Sequence, residues 1–139
     1  MIANWTPNNY TVQFDANGGT ISTTDKTVTY DNTYGTLPTP TKLGHNFIGW
    51  YTAASGGTKI TETTIVNLSA NQTLHAQWTP LTYTMSFNGN GSTSGSMSNM
   101  SMTEGNEYTL TTNGFSRTGY TFREWNSKAD GTGVPMANK

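Results

Sequence analysis

Apolar residues in this chain alternate with polar ones at a period of two. Tyr10, Val12 and Phe14 are separated by Thr11 and Gln13, the signature of a half-buried β-strand. Thr27-Val28-Thr29-Tyr30 predicts a second strand and Phe47-Ile48-Gly49-Trp50-Tyr51 a third. Leu74-His75-Ala76-Gln77-Trp78 predicts another, with Leu74, Ala76 and Trp78 on one face and His75 on the other. Lys59-Ile60 and Ile65-Val66 are shorter apolar points between them. Turn signals separate the runs. Asn17-Gly18 and Ala54-Ser55-Gly56-Gly57 reverse the chain, because Asn and Gly tolerate positive φ. Leu37-Pro38-Thr39-Pro40 is extended but cannot be a central strand, since each proline lacks an N–H donor. No apolar period of 3.6 is sustained, so at most a one-turn helix fits, near residues 61–67. The expected fold class is mainly β (small α+β) with little or no helix.

The same pattern recurs further along the chain. Ile2-Ala3-Asn4-Trp5-Thr6-Pro7 matches His75-Ala76-Gln77-Trp78-Thr79-Pro80 at an offset of 73, and Tyr10-Thr11-Val12-Gln13-Phe14 matches Tyr83-Thr84-Met85-Ser86-Phe87 at the same offset. Lys42-Leu43-Gly44-His45-Asn46-Phe47 matches Arg117-Thr118-Gly119-Tyr120-Thr121-Phe122 at an offset of 75, and Trp50 matches Trp125. The drift needs two single-residue insertions. They fall in the loop-like stretches 92–99 and 112–115, where two copies of one fold are free to differ. The expected organisation is residues 1–7 as the tail of a preceding repeat, 8–79 as a first module and 80–139 as a second module. The second lacks a counterpart of the 74–78 strand and is expected to be C-terminally incomplete.

A module of about 70 residues has a small core and is marginal by itself. Aromatic residues answer this. Each buries 150–250 Å², or roughly 4–6 kcal/mol at about 25 cal/mol per Å² before ordering entropy is subtracted. Phe14, Phe47, Trp50 and Trp78 are the expected structural core of the first module. Phe87, Phe122 and Trp125 are their expected counterparts in the second. Aromatics that recur at the repeat period are what a packing constraint produces, and Trp5 belongs to the same series.

Composition narrows the function. Of 139 residues, 32% are hydrophobic and 11% charged, while Thr (28), Asn (15) and Ser (11) dominate the polar positions. Seven basic against eight acidic residues give a net charge of −1, which leaves no electrostatic footprint for nucleic acid. No apolar run reaches the roughly 20 residues of a membrane span. Cysteine is absent, which excludes disulfides and thiolate chemistry. Met1-Ile2-Ala3-Asn4-Trp5 has neither the basic nor the apolar region of a signal peptide.

These runs together resemble the Listeria–Bacteroides repeat, the internalin-B-type B repeat. The resemblance rests on Tyr10-Thr11-Val12-Gln13-Phe14-Asp15-Ala16-Asn17-Gly18-Gly19, on Pro40-Thr41-Lys42-Leu43-Gly44-His45-Asn46-Phe47-Ile48-Gly49-Trp50-Tyr51 and on Leu74-His75-Ala76-Gln77-Trp78. In the second copy, Glu124 replaces the Gly that precedes the Trp, and Asn126 stands where the first has Tyr51. The resemblance implies tandem β-grasp-like modules of bacterial surface proteins. It also implies an extracellular location, at the cell surface or secreted. The function it implies is non-enzymatic: a stalk or spacer, with a role in adhesion. The partners it implies are neighbouring modules of the same protein and a host or cell-wall glycan or protein.

The alternative is a carbohydrate-binding module. Tyr34 and Tyr51 are its candidate glycan contacts, because aromatics that do not recur between copies are freer to serve a ligand. No catalytic residues are expected. His45 and His75 are the two histidines, and no Ser-His-Asp order, HExxH motif or phosphate loop accompanies them. No cofactor or metal is expected either. Asn88-Gly89-Asn90-Gly91 and Asp130-Gly131-Thr132-Gly133 lack the Glu that closes a calcium loop and read as turns. A module missing one strand exposes unpaired backbone and apolar side chains. Weak head-to-tail self-association is therefore expected, with residues 2–5 of one molecule completing the second copy of the next.

Overall fold

A computed structural model describes residues 1–136. The last three residues of the expected second module, 137–139, lie outside the described residues. The chain forms two compact units, Met1–Leu81 and the residues from Thr82 onward. Among the described residues there are strands and turns but no helix, the expected single turn at 61–67 included. There is accordingly no helix long and apolar enough to cross a membrane.

The first unit is built on a five-stranded sheet of β1 (Asn9–Asp15), β2 (Asp25–Thr29), β3 (His45–Tyr51), β4 (Lys59–Ile60) and β5 (Gln72–Pro80). The strand order is β2-β1-β5-β3-β4. β5 lies in the middle, parallel to β1 from Val12↔Gln72 to Asp15↔His75 and antiparallel to β3 from His45↔Pro80 to Tyr51↔His75. The alternation read from the sequence fixes which side chains go inward. Val12, Phe14, Val28, Trp50, Ile60, Leu74 and Ala76 are all buried. Two irregular segments cover this face, contributing buried Tyr34 and Val66 and half-buried Leu37 and Leu68. An isolated bridge, Thr33↔Ile65, ties the two segments together.

Strict alternation would put Phe47 and Trp50 on opposite faces. Both contact the core because β3 carries a bulge, where the register moves from Phe47↔Trp78 to Gly49↔Gln77. The extra residue re-aims the strand. Gly49 absorbs it at φ +141°, a conformation that side chains disfavour.

The second unit has six short strands among its described residues: β6 (Thr82–Met85), β7 (Ser94–Gly95), β8 (Met100–Thr103), β9 (Phe115–Ser116), β10 (Trp125–Asn126) and β11 (Pro135–Met136). Three two-stranded sheets result, β6-β8, β7-β9 and β10-β11. Their registers repeat those of the first unit. Thr82↔Thr103 and Tyr83↔Met102 reproduce Asn9↔Thr29 and Tyr10↔Val28. Trp125↔Met136 reproduces Trp50↔Ile60. No described residue occupies the place that β5 holds in the first unit. The described strands of the second unit remain in three separate two-stranded sheets.

Candidate functional site

Four rings close the core of the first unit. Trp50 packs against Phe14 at 4.8 Å between centroids and against Phe47 at 5.6 Å, and Phe47 packs against Trp78 at 5.5 Å. Hydrogen bonds orient the two indoles. Trp50 Nε1 donates to Pro38 O at 2.8 Å and Trp78 Nε1 to Ala16 O at 3.0 Å. Phe14 and Trp50 are buried, while Phe47 and Trp78 are half-buried at the margin.

The second unit rebuilds most of this cage. Phe87 lies 4.9 Å from Trp125 with an interplanar angle of 53°, the same angle as Phe14 makes with Trp50. Phe122 meets Trp125 edge-on at 5.1 Å. A further ring, Phe115, stands 6.2 Å from Trp125 at the position equivalent to Pro40. Phe87 and Trp125 are half-buried. Phe122 is 41% exposed, which corrects its assignment to the core. Its counterpart Phe47 faces Trp78 on β5, and no described residue of the second unit supplies that ring. The Nε1 of Trp125 is buried without a hydrogen-bond partner. These rings floor a groove of about 870 Å³ lined by Met85, Phe87, Asn90, Tyr120, Phe122 and Trp125, among others.

One asparagine holds the equivalent turn in each unit, a role the sequence reading assigned only to turn geometry. Asn17 has φ +48° and Asn90 has φ +45°. Asn17 N donates to Asp15 Oδ1 and Asn90 N to Asn88 Oδ1, both at 2.8 Å. The Asn17 side chain then donates to Ala54 O at 3.2 Å and to Ala76 O on β5 at 2.9 Å. Asn90 makes the equivalent bond to Ala129 O at 2.8 Å. The recurrence of Asn-Gly at one offset was the available signal for this clamp.

The glycan candidates separate. Tyr34 is 3% exposed and its hydroxyl donates to Gln72 Oε1 at 2.6 Å. Burial pushes its phenol pKa up. Its ring is packed under the sheet and presents no face to a sugar, which corrects the expectation for Tyr34. Tyr51 is half-buried at the end of β3. Trp5 does not share the packing of the other tryptophans: it is 87% exposed.

Charged groups pair sparsely among the described residues. His75 Nδ1 lies 2.9 Å from Asp15 Oδ2 on the outward face. The Asn17 N–H, and after it His75, hold the Asp15 carboxyl below its ordinary value of 3.8. Asp130 Oδ1 accepts the backbone N–H of Thr132 at 2.9 Å and its hydroxyl at 2.7 Å, which lowers that carboxyl pKa as well. Among the described residues no three His, Asp or Glu side chains gather where they could hold a metal.

A lowered carboxylate pKa adds stability above the unfolded value and loses it as pH falls through the folded value. Asp15→Asn, which installs the residue found at Asn88, is therefore expected to melt slightly below the parent at neutral pH. Half-exposed Asp15 makes the gap small. The two melting curves should converge as the pH drops from about 5 to about 2. A gap that persists at the acid end would assign the effect to packing instead.

The Listeria-Bacteroides repeat domain model matches this chain twice, over residues 10–77 and 83–138. The chain belongs to the Listeria-Bacteroides repeat family. A protein named "Putative membrane protein" from Evansella cellulosilytica is 33% identical over 140 residues, covering 96% of this chain and 20% of the relative. Internalin H of Listeria monocytogenes is 38% identical over 100 residues, covering 66% of this chain and 18% of the relative. A second Evansella cellulosilytica protein, named "Putative Gly-rich membrane protein", is 33% identical over 91 residues, covering 66% and 10% respectively. The chain thus spans about a fifth or less of the length of these curated relatives. The repeats recognised by the family model coincide with the two copies of the aromatic cage.

Proposed function

We propose that this pair of Listeria-Bacteroides repeats is a non-enzymatic stalk or spacer on the outside of a bacterial cell, acting in adhesion by holding other parts of a longer protein away from the surface. The observation that carries this reading is what the two copies share. They share strand register, the Phe–Trp cage and the Asn-Gly clamp. They do not share a chemically active surface: His45 becomes Tyr120, and Tyr51 becomes Asn126. A segment that repeats its packing but varies its surface serves as a structural unit. The strand order β2-β1-β5-β3-β4 with a parallel central pair supports the β-grasp-like arrangement that the sequence resemblance implies. The names of the relatives, an internalin and two membrane proteins, support a surface location.

Antibodies raised against this segment should label intact cells of the producing bacterium as strongly as permeabilised ones. Labelling that requires permeabilisation would overturn the location. Shortening the parent protein by one module should leave its export unchanged and weaken attachment of whole cells; unchanged attachment would overturn the spacer role. The carbohydrate-binding alternative now rests on Tyr51, since Tyr34 is buried.

A further inference from the structure

A small cavity of about 280 Å³ opens where the start of β3 and the end of β5 meet the Asn17 turn, lined by Asn17, Lys42, His45, Ser55, Gln77 and Trp78, among others. Gln77 gives its amide hydrogens to the carbonyls of Ala53 and Gly56, at 3.0 and 2.7 Å, and so stiffens one wall. His45 Nδ1 lies 2.9 Å from Leu43 O. A carbonyl only accepts, so the proton sits on Nδ1 and the Nε2 of the neutral ring is an acceptor. Lys42 Nζ carries three hydrogens. It donates one to Asn17 O at a long 3.4 Å and lies 5.9 Å from the centre of the Trp78 ring. Among the described residues no carboxylate pairs with it. Asp15, the acid of the same turn, is engaged elsewhere: its Oδ1 accepts the Asn17 N–H and its Oδ2 meets His75.

The second unit holds a cation in the same way. Arg117 takes the place of Lys42 at the offset of 75. Its Nη1 donates to Asn90 O at 3.5 Å, and its guanidinium lies 4.1 Å from the centre of the ring of Tyr120, the counterpart of His45. In both copies a positive charge is thus held by the carbonyl of the Asn-Gly turn, beside an aromatic ring and without a carboxylate partner among the described residues. The remaining lining differs, because Asp130 stands where the first unit has Ser55.

We infer that this cavity of the first unit binds the carboxylate of an acidic sugar, a uronic acid residue of a glycan chain. The Lys42 ammonium pairs with the carboxylate, a charge-assisted contact that a neutral sugar cannot make. Trp78 offers the C–H face of the sugar an apolar edge. The Ser55 hydroxyl and His45 Nε2 bond the sugar hydroxyls. The cavity has room for one sugar ring, and a partly exposed charge pair contributes little in water, so a single site binds in the millimolar range. The second unit binds more weakly, since the Asp130 carboxylate repels the ligand. This inference rests on the adhesion reading, in which the segment meets glycans outside the cell. A failed titration would leave the spacer role standing, because that role is read on whole cells.

The test is a titration of the full chain with sodium glucuronate, followed by amide and indole N–H resonances at constant ionic strength. Glucuronate should shift the Asn17 and Gly18 amides and the Trp78 indole N–H in a saturable way. Methyl glucoside, the same ring without the carboxylate, should not, and acetate should bind more weakly than glucuronate. Lys42→Gln should weaken binding at least about ten-fold, while Lys42→Arg, which installs the cation of the second unit, should retain it. Ser55→Asp, in an exposed turn that tolerates the change, should weaken binding at least about five-fold through like-charge repulsion. Absence of saturable shifts with glucuronate would overturn the inference. So would equal shifts from methyl glucoside, binding of acetate as tight as that of glucuronate, or binding that both Lys42→Gln and Ser55→Asp leave unchanged.

Discussion

Trp50→Ala is expected to cost the first unit about 3–5 kcal/mol, the range for truncating a large buried aromatic. The indole is 2% exposed, contacts Phe14 and Phe47 edge and face, and donates its N–H to Pro38 O at 2.8 Å. Removing it empties the middle of a core with few other large side chains. It also leaves the Pro38 carbonyl without that donor. A domain of this size has about 5 kcal/mol in hand, so the variant should be largely unfolded over residues 9–80 at room temperature. Urea titration followed by resolved amide resonances of each unit checks this. Trp125→Ala should cost less, because Trp125 is half-buried and its buried N–H is already unpaired. Coincident denaturation curves for Trp50→Ala and the parent would remove Trp50 from the core. An equal loss in both variants would mean that Trp125 is as well packed as Trp50.

The period of two located β1, β2, β3 and β5 because one face of each strand is buried and the other is wet. Val12, Phe14, Leu74 and Ala76 follow directly from it. The repeat offset paired Phe87 with Phe14 and Trp125 with Trp50, and the structure places those pairs in matching geometry. Tyr34 was misread because it sits outside any alternating run, between Asp31-Asn32 and Gly35. Its burial comes from a tertiary event, the docking of an irregular segment onto the sheet, and local pattern carries no trace of that. The bulge in β3 was legible only indirectly. Two core residues three apart on one strand require an extra residue between them, and Gly49 is the place to accommodate it. Glu124 takes that position in the second copy without a positive φ. The side-chain bonds of Asn17 were not legible, since Ala54 and Ala76 are distant in sequence and offer only backbone carbonyls. For the candidate site, the period-matched rings identified the cage, but exposure of Phe122 depends on what lies across from it.

The second large effect distinguishes the two copies at one position. Gly19→Ser is expected to destabilise the first unit by about 1–3 kcal/mol, the usual cost of overpacking a fitted site. A Cβ at Gly19 would stand 2.6 Å from Cζ2 of Trp78 and 2.7 Å from Thr41 O. Neither neighbour is free to yield. Trp78 is pinned by its bond to Ala16 O, and Thr41 O accepts the Thr20 N–H at 2.7 Å. The second unit carries the larger residue already. Ser92 N donates to Gly89 O just as Gly19 N donates to Ala16 O, so the two positions are structural equivalents. Serine stands there in a unit whose described residues include no counterpart of Trp78. Ser92→Gly should therefore change the second unit by less than about 1 kcal/mol, through backbone entropy alone. Urea titrations of the two single variants test the pair of expectations together. Matched losses in both units would show that the Gly19 site is governed by turn geometry common to the copies, and not by the Trp78 ring that β5 delivers to one of them.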